Sequence, residues 1–310
     1  MRTDLALMFP GQGSQALGML ADLAEAFDVV GATFEEASDA LGEDLWALSQ
    51  QGPEADLDRT ENTQPVLLAA SVAVYRSWRA AGGDAPTIAA GHSLGEYSAL
   101  VAAEALTLAD ATRLVRRRGR AMQAAVPQGA GAMAAILGLN DEAVEQCCAE
   151  TAEGDIVSAA NYNAPGQVVI AGQAGAVSRA IAACKAAGAK RAMALSVSVP
   201  SHCALMSPAA ETLLEALDAL EISAPAFPVV QNVDASVAAD AEGIRARLVN
   251  QLHAPVRWTD CVRAVKRAGA TRLAECGPGK VLSSMIKRID RELTAQALGS
   301  VDGLRLALDG

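Results

Sequence analysis

The chain has 310 residues, 51% of them hydrophobic and 20% charged, and carries a formal net charge of −11. That length and apolar content suffice for a full core in one large domain or two smaller ones, and the acidic balance argues against non-specific nucleic-acid binding. Aromatic residues make up only 3%, which favours helices packed closely on a sheet over an aromatic-rich β-sandwich.

No run of about eighteen residues has transmembrane character. The opening "MRTDLALMFPGQGSQ" is too short and too soon interrupted for a signal peptide. Six cysteines, at 147, 148, 184, 203, 261 and 276, form neither a zinc spacing nor a CxxC pair. Reduced, buried thiols in a cytoplasmic protein are therefore expected.

In chain order, "DLALMF" (4–9) predicts a strand, followed by a glycine turn and a helix near 16–26, with further helical stretches to about residue 80. A strand at 87–91, a helix from 94 and a helix over 108–125 come next. The middle third changes character. "GAMAAILGL" reads as a strand, "NDEAVEQCCAETA" as a helix, "IVSAANYN" and "GQVVIAG" as strands, "GAVSRAIAACKAAG" as a helix and "RAMALSVS" as a strand. The order β-α-β-β-α-β is the signature of a ferredoxin-like unit, and "NAPG" (163–166) supplies its hairpin turn. Residues 129–198 are accordingly expected to be a small subdomain inserted into an α/β domain made of 1–128 and 199–310. Short strands in "FPVVQNV" and "TRLAECG" resume the larger part. The tail beyond Leu293 carries no usable motif.

"GHSLG" (91–95) fits G-x-S-x-G, in which a sharp strand-to-helix turn lifts the serine oxygen above the sheet and the helix N-terminus presents N–H groups to a developing oxyanion. Ser93 is thus the candidate nucleophile. Of the three histidines, His92 is its neighbour and diverges from it on a tight turn, which suits structural support. His253 in "NQLHAPVRW" reads as a loop residue. His202, in "SVPSHCALM" where the chain leaves the insert, is by elimination the candidate base.

On an ideal helix over 108–125, Ala111, Leu114, Val115, Met122 and Ala125 share one face. Arg118 falls in the middle of that face, while Arg113, Arg116, Arg117 and Arg120 project from the opposite side. Thr107 can cap this helix, with Asp110 three residues on. An arginine on an apolar face needs an anionic partner. That partner is either a structural carboxylate or one arriving on the substrate and held by the guanidinium fork. The basic clusters 113–120, 190–191 and 287–291 are solvated helix faces or docking surfaces for phosphates or an acidic partner. "GQGSQA" (11–16) literally satisfies G-x-G-x-x-A, but no second strand ending in an acid follows, so a nicotinamide site is not expected. "GPGK" (277–280) reads as a tight turn before a helix.

Seven stretches in order, "FPGQGSQ", "TQPVLLAASVAVYRSW", "GHSLGEYSAL", "RGRAMQ", "NYNAPGQVVIAG", "SVPSHCALM" and "ECGPGKVL", resemble the malonyl-CoA:acyl carrier protein transacylases of bacterial fatty-acid synthesis, over about residues 5–290. The resemblance implies an α/β-hydrolase-like large domain with a ferredoxin-like insert. It also implies ping-pong transfer of malonyl from malonyl-CoA to Ser93, then to the phosphopantetheine thiol of acyl carrier protein. On the same ground His202 is the base, Arg118 pairs with the malonyl carboxylate, the backbone N–H groups of Gln12 and Leu94 form the oxyanion hole, and the main-chain carbonyl of Gln251 orients the histidine. No cofactor or metal, no nucleic-acid or membrane partner, and a cytoplasmic monomer are expected. A serine carboxylesterase, an acyltransferase preferring methylmalonyl or acetyl units, and a silent carrier-docking module are the alternatives.

Overall fold

The computed structural model describes residues 4–197 and 199–309. Its strands are β1 (Leu5–Phe9), β2 (Ile88–Gly91), β3 (Gly131–Leu137), β4 (Val157–Ala164), β5 (Gln167–Gln173), β6 (Arg191–Ala194), β7 (Val229–Val230), β8 (Arg272–Glu275) and β9 (Thr294–Ala297). Five of them make a parallel sheet in the order β7-β2-β1-β8-β9. A parallel sheet needs both faces covered, and its central strand reads as an unbroken apolar run for that reason. In β1, Leu5, Leu7 and Phe9 enter a core with the helices Thr60–Ala80, Leu94–Ala102 and Leu108–Ala125. Ala6 and Met8 face the other way, against Trp258, Val262 and Ile286.

The remaining strands form a separate antiparallel sheet, β4-β5-β3-β6. The helices Asp141–Thr151 and Ala174–Ala186 cover one face, with Ile136, Val144, Val168, Ile170 and Val177 between. Met133, Val169 and Cys203 gather on the other. Val256 ties β4 to the large part through the amide of Tyr162 and the carbonyl of Ala160, both at 2.9 Å. All six cysteines are buried and free of disulfides. No helix among the described residues is long and apolar enough to cross a membrane.

Four local readings change. The helix expected near 16–26 spans only Ala21–Ala26, because Gly18 and Leu20 adopt left-handed backbone (φ 76° and 62°) and turn the chain first. The strand expected over 191–198 ends at Ala194; Leu195 and Val197 line a pocket instead, and Ser198 lies outside the described residues. The tail is not featureless: Thr294–Ala297 is the edge strand of the parallel sheet, followed by the helix Val301–Asp309. A short, half-buried edge strand lacks the apolar run that marks a central one.

The fourth change concerns the arginine-rich helix. Thr107 caps it, its Oγ1 accepting from the Asp110 amide at 3.1 Å. Arg118 lies buried with Ala111, Leu114, Val115 and Met122, and Arg113, Arg117 and Arg120 face solvent. Arg116 does not join them. It is buried against Glu43 and Asn62, donating to both, because the turn after the helix Asp28–Leu41 and the start of the helix Thr60–Ala80 reach over that side. It therefore belongs to the fold rather than to a docking surface. Arg116→Glu should lower stability by about 1–3 kcal/mol, the Glu43 end being half exposed. Arg117→Glu should stay within about 0.5 kcal/mol. Urea midpoints of the two variants check this, and equal shifts would contradict it.

Candidate active site

β2 ends at Gly91 and the helix Leu94–Ala102 begins three residues later. Ser93, at the corner, is held at φ 53°, ψ −107°, a conformation an L-residue adopts only under constraint. Two glycines make the turn possible. A Cβ on Gly91 would lie 1.9 Å from the Gly95 carbonyl, and one on Gly95 would lie 2.0 Å from Phe9 O. The strained unit is pinned at both ends of its backbone: Ser93 N donates to Asn232 Oδ1 at 2.7 Å, and Ser93 O accepts from Gln251 Nε2 at 3.0 Å.

His202 reaches the same corner from the turn after Pro200. Its Nε2 lies 2.8 Å from Ser93 Oγ, and its Nδ1 lies 2.7 Å from the Gln251 carbonyl oxygen. A carbonyl only accepts, so Nδ1 carries the proton and Nε2 is free to accept from the serine hydroxyl. Burial, and then the Arg118 charge, push His202 down to about 3, which leaves the imidazole neutral at physiological pH. The group that orients His202 is thus a main-chain carbonyl rather than an acid.

Arg118 is 1% exposed. Its Nη1 donates to Gln64 Oε1 at 2.8 Å, and its Nη2 donates to Gln251 Oε1 at 3.0 Å and to Ser93 Oγ at 3.2 Å. The guanidinium carbon stands 5.4 Å from the centroid of the Tyr97 ring. Among the described residues no carboxylate pairs with it, and its Nε has no hydrogen-bond partner. Burial depresses its pKa. Of the two partners the sequence left open, the structural carboxylate is not at the guanidinium: what touches it is neutral oxygen.

Gln12 and Leu94 flank Ser93 in the wall of a cavity of about 230 Å³ at the carboxyl ends of β1 and β2, where open parallel sheets bind ligands. The opposite wall comes from the antiparallel sheet and its exit, with Met133, Asn161, Leu195 and Val199. Gly11 lets the loop after β1 approach the elbow, since a Cβ there would meet His92 O at 2.5 Å. No helix starts directly behind "GQGSQA", so the loop lacks the helix N-terminus of a dinucleotide site.

His92 also lines this cavity but turns its ring nitrogen away from Ser93. Its Nε2 is 2.8 Å from Asn163 Oδ1 and its ring tilts against Trp258. His253 does not line this cavity. "GPGK" is a turn before the helix Ser283–Ile289, pinned by Glu275, whose carboxylate accepts from the amides of Leu282 and Ser283 at 3.0 and 2.8 Å.

Sequence reasoning missed the groups behind the corner. Gln64, Asn232 and Glu96 have no motif of their own, and neutral amides scattered across the chain give no spacing signal. One signal was available: Glu96 is an acid on an otherwise apolar helix. It is fully buried, accepts from Asn232 N at 2.9 Å and Gln251 Nε2 at 3.0 Å, and burial pushes it up to about 7.

Comparison with known proteins adds to this geometry. Residues 7–297 match the family model described as the acyl transferase domain. The chain is 56% identical over 307 residues to the malonyl CoA-acyl carrier protein transacylase of Escherichia coli strain K12, covering 99% of each chain. The crystal structure of a malonyl-CoA:acyl carrier protein transacylase from Xanthomonas oryzae is similar at a TM-score of 0.98, with 56% identity, over 99% of this chain and 98% of that one. A malonyl-transacylase solved in complex with a type II PKS acyl-carrier protein gives a TM-score of 0.98 and 57% identity, with 99% of each chain covered.

Proposed function

The chain belongs to the acyl transferase domain family, among the malonyl CoA-acyl carrier protein transacylases, and from that premise we propose that it moves malonyl from malonyl-CoA to the phosphopantetheine thiol of acyl carrier protein by way of a malonyl-Ser93 ester. The observation that carries this reading is Arg118: a buried guanidinium, paired with no carboxylate among the described residues, 3.2 Å from the nucleophile. A charge in that position is unfavourable until an anion joins it, and a malonyl group bonded to Ser93 brings one.

In the first half-reaction, Ser93 Oγ attacks the thioester carbonyl while His202 Nε2 takes its proton. The amides of Gln12 and Leu94 receive the oxyanion, and the imidazolium then protonates the departing thiolate. The Gln251 carbonyl supports the imidazolium through Nδ1–H. Burial is the main cause of the low His202 pKa and the Arg118 charge the second; the malonyl carboxylate offsets that second part, so the base strengthens when the correct acyl group is bound. In the second half-reaction the carrier thiol repeats the attack on the serine ester. No step calls for a cofactor. We read the large part, 1–128 and 199–310, as α/β-hydrolase-like, and 129–198 as a ferredoxin-like insert; the strand order β4-β5-β3-β6 supports the latter. A cytoplasmic monomer fits this reading.

Mass spectrometry after mixing with malonyl-CoA, without acceptor, tests it. One malonyl adduct should appear, mapped to Ser93, and should move to holo acyl carrier protein when that is added. An adduct lost to water at the same rate with and without carrier would favour the esterase. No adduct at all would leave only a docking module.

A further inference from the structure

The mechanism above makes no use of Glu96, the one carboxylate among the described residues that is buried behind the nucleophile's helix turn. Its Oε2 accepts from Gln251 Nε2 at 3.0 Å, so the other end of that amide, Oε1, must face Arg118, 3.0 Å from Nη2. The same Oε2 accepts from Asn232 N, while the Asn232 side chain holds Ser93 N. Were the Gln251 amide reversed, its NH₂ would confront the guanidinium donor to donor. The acceptor at Glu96 excludes that arrangement.

The other carboxylate oxygen is differently placed. Glu96 Oε1 has only a 3.5 Å contact with Gln231 Nε2, and Gln231 Oε1 is buried with no partner among the described residues. A half-turn of the Gln231 amide brings that orphaned oxygen to Glu96 Oε1, where it would accept the proton of a carboxylic acid. The surroundings therefore furnish partners for both protonation states, and the Oε2 contacts persist in each.

We propose that Glu96 is a positioning residue and counter-charge for Arg118: it fixes the amide that holds the guanidinium, and its protonation sharpens selection for an acyl group that carries a carboxylate. The proposal rests on the malonyl-transfer reading. Ionised, Glu96 offsets part of the Arg118 potential that attracts the malonyl anion; protonated, it leaves that potential whole. A neutral acetyl group feels little of the difference. By reciprocity, malonyl bound at Arg118 raises the proton affinity of Glu96.

Few other groups titrate nearby. Arg118, on the helix Leu108–Ala125, stays charged. Cys261, from the helix Trp258–Arg267, is pushed well above its usual range and stays a thiol; Tyr97 on the same helix as Glu96 is pushed up to about 12. His202 is neutral above about 3. The flanking helix Ala241–Gln251 and the loop after β7 present the neutral amides of Gln251, Gln231 and Asn232. Glu96, poised at about 7 by burial, is the group whose charge changes near neutrality.

The experiment measures kcat/KM for malonyl-CoA and acetyl-CoA from about pH 5.5 to about pH 8.5 in the wild type and in Glu96→Gln. The ratio cancels effects common to both thioesters. In the wild type, malonyl preference should fall on the order of tenfold as pH rises through neutrality, carried by KM. In Glu96→Gln, neutral throughout, the ratio should be flat. A second measurement needs only the wild type. Malonyl transfer to Ser93 releases a protonated thiol and is proton-neutral overall, so an indicator dye in weak buffer near neutral pH should report uptake on malonylation and none on acetylation. A flat wild-type ratio, a slope that survives in Glu96→Gln, or equal proton uptake with both thioesters would overturn the inference. Failure to form malonyl-Ser93 would instead overturn the reading beneath it.

Discussion

Arg118→Ala should lower kcat/KM for malonyl loading about 30- to several-thousand-fold while acetyl loading holds or rises. The malonyl carboxylate would enter a buried site that has lost its cation, a loss on the order of 2–5 kcal/mol. Acetyl carries no charge and no longer faces an unpaired guanidinium. The direct partners left behind, Gln64 Oε1 and Gln251 Oε1, are neutral acceptors, and the buried Glu96 carboxylate, which loses its counter-charge, can take up a proton instead of remaining charged, so the elbow should persist. Lysine should recover only part of the malonyl activity, since a point charge does not reproduce the planar fork. A second consequence concerns His202. The Arg118 charge is the second cause, after burial, of its low pKa. Removing that charge should move the acid limb of the acetyl-loading profile upward in pH, because protonation of Nε2 then competes at higher pH. Paired rate measurements with both thioesters, and circular dichroism to verify the fold, decide the matter. A parallel fall for malonyl and acetyl would make Arg118 a structural residue.

His202→Ala should cost about 10²–10⁴ in transfer, the usual range for a lost general base. The geometry makes the loss specific. Nε2 is 2.8 Å from Ser93 Oγ, and among the described residues no other acceptor stands there: Arg118 Nη2, the other neighbour of the hydroxyl, is a donor. His92→Ala should act more mildly, through the lost Asn163 contact, and His253→Ala least. Single-turnover loading of the three variants, followed by intact mass, separates them. Near-normal turnover by His202→Ala would sink the assignment of the base.

Much of this corner is legible in residues 88–95 alone. Glycines two positions either side of a serine, between a small apolar run and a helix, demand a turn too tight for Cβ atoms, and the 1.9 and 2.0 Å approaches at Gly91 and Gly95 are the steric form of that demand. The helical projection likewise separates Arg118 from Arg113, Arg117 and Arg120, because a period of about 3.6 residues is a local property. It fails at Arg116, since burial on that side depends on Glu43 and Asn62, more than fifty residues upstream. It gives no hint of β9 either, where an edge strand of four small or polar residues borrows its order from β8.

What the sequence by itself determined was therefore short-range: the elbow, the apolar arc that surrounds Arg118, and the alternation of strands and helices through 131–194. These follow from sterics and periodicity within a few turns of chain. The convergence of the site was decided by the tertiary structure. Every residue has a carbonyl, so no side-chain pattern marks Gln251 as the acceptor for His202 Nδ1 49 positions away. Nor does any pattern mark Asn232 as the clamp on Ser93 N, 139 positions away. The ionisation of Glu96 belongs to the same class. An acid on an apolar helix is visible in the chain, but its pKa is set by desolvation, and desolvation is the work of elements that meet only when the sheet is built.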